Sequence, residues 1–91
     1  MEIKLSSLSP LSYEFTKPGD TVTLFRKQPN KREFRASIGA AVESILIFKG
    51  PTKIGMIPVK IADENAEYLK GKSTAKITVT DSAKKTIIIK V

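Results

Sequence analysis

The 91 residues suit a single domain with one modest core, and the 41% hydrophobic share argues for a packed globule over disorder. The formal net charge is +7, and there is neither cysteine nor histidine. That removes disulfides, the usual zinc sites, serine–histidine triads and cysteine–histidine dyads, so a catalytic role and a cofactor are not expected.

In chain order, Met1-Glu2-Ile3-Lys4-Leu5 lacks the charged-then-apolar order of a secretory leader. There is no apolar run long enough to span a membrane, so a cytoplasmic protein is the default expectation. Residues 6–12, with Pro10, read as a loose arm that could lead into a strand near Ser12–Phe15. Pro18-Gly19-Asp20 is a turn signal, since proline presets φ and glycine accepts the left-handed region. Thr21–Arg26 alternates as a strand with Val22 and Leu24 on one face, which points Phe25 to the other.

Residues 26–35 hold five basic residues and one acid, with Phe25 just before the stretch and Phe34 near its end. Packed like charges repel unless a polyanion or nearby carboxylates neutralise them. The segment is read as a contact surface for nucleic acid; the alternative is a solvated turn. The span 38–48 matches both a helical face and a strand, and is read as strand from Val42 onward until Gly50-Pro51 ends it. Lys53–Ile57 reads as a short strand closed by Pro58. One helix is expected over Ile61–Lys70, with Asp63 and Glu64 in the first turn, Lys70 in the last and Gly71 as C-cap. Residues 72–91 read as a hairpin, Ala75–Thr80 and Thr86–Val91 around the turn at 81–85. The apolar run Ile87-Ile88-Ile89 requires a strand covered on both faces or paired with a partner. Many short strands with one short helix give a mainly β, α+β chain, a small and partly closed OB-like or SH3-like barrel.

Two motifs resemble those of the HIRAN domain. Val22-Thr23-Leu24-Phe25-Arg26 followed by Pro29-Asn30 is similar to V-x-L-x-R-x-P-x-N, and Ile54-Gly55-Met56-Ile57-Pro58 with Ala62, Ala66 and Leu69 is similar to I-G-Y-I-P and its following helix. The likeness covers roughly residues 13–69. One extra residue separates Arg26 from Pro29, the family's aspartate position falls on Phe34, and Met56 stands where the family prefers a ring. The resemblance implies a small barrel related to OB-folds that binds single-stranded DNA at its three-prime end, alone or attached to a helicase- or nuclease-type parent.

The expected contact residues are Tyr13, Phe25, Arg26, Lys27, Asn30, Lys31, Arg32, Phe34, Arg35, Met56 and Lys60. The arginines and lysines would neutralise phosphates, Phe25 and Phe34 would stack on bases, and Met56 would contact a base or sugar. A core this small is expected to claim several of the remaining rings. The competing expectation is a protein-interaction module, or a homodimer, built on an exposed strand edge. An anionic membrane is a third reading that no amphipathic basic helix supports.

Overall fold

The computed structural model describes residues 1–27 and 44–91. Six strands form one antiparallel sheet: β1 (Glu2–Lys4), β2 (Thr21–Lys27), β3 (Ser44–Lys49), β4 (Thr52–Ile57), β5 (Thr74–Asp81) and β6 (Thr86–Lys90), in the spatial order β1-β6-β5-β2-β3-β4. The sheet curls, and its two edges approach each other. Just past β1, Ser6 and Met56 exchange backbone hydrogen bonds of 2.9 Å in each direction. This bridge makes the sheet the partly closed barrel expected from the strand pattern. The bridge covers part of the edge that would otherwise template pairing.

The inward positions are aliphatic. Ile3, Val22, Leu24, Ile45, Ile47, Ile57, Ala75, Ile77, Ile87 and Ile89 are all buried. β-Branched residues suit these positions because one rotamer packs well on a pleated surface. β6 lies between β1 and β5, so the isoleucine run is hydrogen-bonded on both sides. Ile87 and Ile89 point inward while Ile88 is half-buried. No described phenylalanine or tyrosine enters the fully buried core, contrary to the expectation that the core would need several.

Glycine decides the geometry at two places. Gly50, at φ 58°, takes the first position of the two-residue Gly50-Pro51 turn between Lys49 and Thr52, as primed hairpin turns require. Gly55 lets the chain cross closely: a Cβ there would sit 2.7 Å from Leu8 Cδ2 and 3.0 Å from the Ser6 carbonyl oxygen.

Three short helices replace the one expected. Residues 10–15 are neither arm nor strand but α1 (Pro10–Phe15). Ser9 precedes it in extended conformation and Pro10 fills the first turn, where its missing N–H costs nothing. The Ser12 hydroxyl, buried, donates to the Ile54 carbonyl at 2.7 Å, and that of Thr16 donates to the Ser12 carbonyl at 2.7 Å. The helix expected at 61–70 starts earlier and breaks at Asn65, giving α2 (Val59–Glu64) and α3 (Ala66–Leu69). Asp63 and Glu64 therefore stand in the last turn of α2 and not in a first turn, so the dipole argument for them fails. Ala62 and Leu69 are buried, Ala66 is not, and Gly71 follows α3 with Lys70 as its cap.

The helices plug the two ends of the barrel. α1 covers the end where β2 begins. There the Lys49 ammonium donates to the Phe15 carbonyl at 2.6 Å and to Asp20 Oδ2 at 2.8 Å. α2 and α3 cover the other end, where β2 finishes and β4 runs into Pro58. The described residues hold no helix long and apolar enough to cross a membrane.

Candidate functional site

The register of β2, β3 and β4 joins the two sequence motifs on one wall of the barrel. Phe25 pairs with Leu46, and Leu46 with Met56. One step along, Thr23 pairs with Phe48, and Phe48 with Lys53. Alternation explains their common direction. Leu24 and Ile47, between these rows, are buried inside, so the flanking residues face out. A bulge near Ile47 and Phe48 puts the extra residue Ile54 into β4, and Ile54 turns into the core.

The outer wall thus carries an apolar platform. Phe25 is 55% exposed. Its ring meets that of Phe48 edge to face, with centroids 5.9 Å apart and planes at 67°. Such contact holds the rings in place without covering both faces. Leu46 and Met56, half-buried, extend the patch across three strands, and Lys53 borders it.

The expected contact residues do not form one cluster. Phe25 and Met56 share the platform. Arg26 faces the opposite side of β2: it lies in register with buried Ile45 and Ile57 at the α2–α3 end. Its guanidinium donates to the Leu69 carbonyl, closing the C-terminus of α3. Arg26 is thus engaged in structure. Lys60 is exposed in the first turn of α2, at that same end. Tyr13 lies at the far end, half-buried against the core. It lines an open cleft of about 500 Å³ with Leu8, Pro10, Glu14 and Lys85. The backbone of Lys27 closes the β2–β3 ladder opposite Ser44. Asn30, Lys31, Arg32, Phe34 and Arg35 lie outside the described residues, as does the stretch 38–43 that matched both helix and strand. From Ser44 onward the chain is strand.

Phe48 and Leu46 were not anticipated as contact residues. Residues 44–48 read only as an apolar strand, and nothing local says which side of it the core takes. The exposure of Phe25 could have pointed to them once pairing with β3 was known.

The one ion pair among the described residues, Lys49–Asp20 at 2.8 Å, lies one residue past Phe48, where the Lys49 ammonium also donates to the Phe15 carbonyl of α1. The hydrogen bond from Lys49 holds the Asp20 carboxyl below its ordinary value of 3.8, and the Lys17 backbone N–H adds to this. The platform itself contains no carboxylate, so nothing in its two rows repels an anion. Comparison of the chain with protein-family models, with curated proteins and with solved structures finds no match.

Proposed function

We propose that the chain is a non-catalytic nucleic-acid-binding module that takes single-stranded DNA. The observation that carries this reading is the Phe25–Phe48 platform. Two rings are held edge to face on the outside of a basic barrel whose core needs neither of them. Bases stack on exposed rings with little regard to sequence, and basic side chains follow the phosphates. Met56 and Leu46 would complete the contact with base or sugar. Lys27, Lys31, Arg32 and Arg35 would supply further charge, and the chain enters this basic stretch from Lys27, the last residue of the β2 ladder. The likeness of the two motifs to HIRAN domains favours a free three-prime end as the ligand.

The test is a fluorescence-anisotropy titration with short single-stranded DNA at low and moderate salt, with free and blocked three-prime ends. Tight, salt-sensitive binding that blocking abolishes is the expected result. Equal binding to blocked ends would leave a general single-strand groove. No binding at low salt would remove the reading in favour of a protein-interaction module. That alternative has less to draw on among the described residues, because the Ser6–Met56 bridge occupies part of the edge it needs.

A further inference from the structure

The register sets two lysines face to face. Lys76 of β5 lies directly opposite Lys90 of β6, and both side chains are exposed on the outer wall. Lys4 of β1 pairs with Ile88, the next outward position along β6. Like charges directly across a sheet are destabilising. Glu2 flanks Lys90 on the other side, yet the described residues include no ion pair between them. A bound anion would remove the repulsion.

The lysines continue the wall that bears the platform. Lys76 pairs with Thr21 of β2, two residues from Thr23, which pairs with Phe48. With strands about 4.8 Å apart and residues about 3.3 Å apart, Phe48 and Lys76 are on the order of 12 Å apart. The ground between them is Thr21, Thr23 and Thr74, all exposed hydroxyls with no carboxylate. The path from rings to lysines is neither blocked nor electrostatically opposed.

We infer that Lys4, Lys76 and Lys90 form a phosphate-binding row for a single strand whose bases rest on Phe25 and Phe48. This inference rests on the function proposed above and gives the strand a direction, across β3, β2, β5 and β6. Lysine suits the task because its compact charge neutralises phosphate without requiring a fixed approach.

The test compares wild type, K76Q/K90Q, F25A and the control K17Q/K84Q, which removes the same charge from loops away from the wall. The probe is a labelled oligothymidylate of about 12 nucleotides, within the site size of such barrels. The row variant should flatten the plot of log affinity against log salt by about 1.4, roughly 0.7 for each lost phosphate contact. The control should leave the slope unchanged, and K76Q/K90Q should melt no lower than wild type because a repulsion is removed. Equal slopes for the row variant and wild type, or equal flattening by the control, would overturn the inference. If F25A weakens binding while K76Q/K90Q does not, the platform stands and the row falls. The converse removes the platform and keeps the row, and a wild type that does not bind removes both. If K76Q/K90Q loses attachment to anionic vesicles but not to the oligonucleotide, the row serves a membrane surface and the inference fails.

Discussion

The two faces of the one sheet are built from different residues. The inner face holds isoleucine, valine, leucine and alanine and no described ring, whereas the outer face holds Phe25, Phe48, Met56 and a set of lysines. Aromatic side chains carry the largest apolar surface of any residue and ordinarily anchor small cores. Here the aliphatic residues fill the barrel without them. The stability of this fold and the contact proposed for it therefore fall to separate side chains and can be perturbed separately.

The sharpest break in that separation comes from the inner face. Ile89→Ala, at a position with no exposure, should cost about 2–5 kcal/mol in urea unfolding, because little around it can collapse into the cavity. Phe25→Ala should leave urea stability nearly unchanged and weaken single-strand binding by about 1–3 kcal/mol per stacked base, read by anisotropy. If Phe25→Ala unfolds the protein and leaves binding intact, the division between faces is wrong. Gly55→Ala addresses the seam. The added methyl meets Leu8 and the Ser6 carbonyl, so a loss of about 1–3 kcal/mol is expected, with faster hydrogen exchange at the Ser6 and Met56 amides. Lys85→Gly, at φ 52° in the last hairpin, should raise the melting temperature slightly, relieving up to about 1 kcal/mol of left-handed strain. The smallest effect concerns Asp20. Its folded pKa is lowered, so its contribution is fully present above its ordinary value and is lost as pH falls through the folded value. Asp20→Asn should therefore leave the pH dependence of melting unchanged near neutrality and make it shallower below 3.8.

Much of the barrel was legible because alternation is a direct signal. Thr21–Arg26 and Thr86–Lys90 had inward and outward residues where the pattern put them, whereas in β5 a bulge between Ile77 and Val79 breaks the alternation and leaves Val79 exposed. Pro18-Gly19 makes the expected turn, closed by the Asp20 N–H to the Lys17 carbonyl. α1 was illegible to periodicity because its polarity is inverted. Ser12 and Thr16 are buried, while Leu11 and Phe15 are 63% and 50% exposed. A hydroxyl face becomes an inside face only through long-range partners such as the Ile54 carbonyl. The start signal, Ser9 before Pro10, was nevertheless present. β1 is three residues long and depends on pairing with β6, so local pattern had little to work with. The helix at 61–70 was found in kind but not in extent. Asn65, at φ −117° and ψ 25°, divides it, and its side chain donates to the same Ile61 carbonyl that its backbone N–H bonds.

Of the candidate site, Phe25 was legible because one strand decides its direction. Arg26, the next residue, takes the other side by the same alternation and reaches the Leu69 carbonyl. Phe48, Lys76 and Lys90 gain meaning only from strand order, which a single sequence does not state.

The pairing of β1 with β6 also bears on the order in which the chain assembles. Ile3 meets Ile89 across nearly the whole sequence, whereas the β3–β4 and β5–β6 hairpins join near neighbours. Contacts between distant residues form slowly because their loop must be closed before they are rewarded. The two hairpins can therefore form early, while the first strand waits for the last. The Ser6–Met56 seam also joins distant residues, 50 apart, so by the same rule the barrel is expected to close only after its two hairpins have formed.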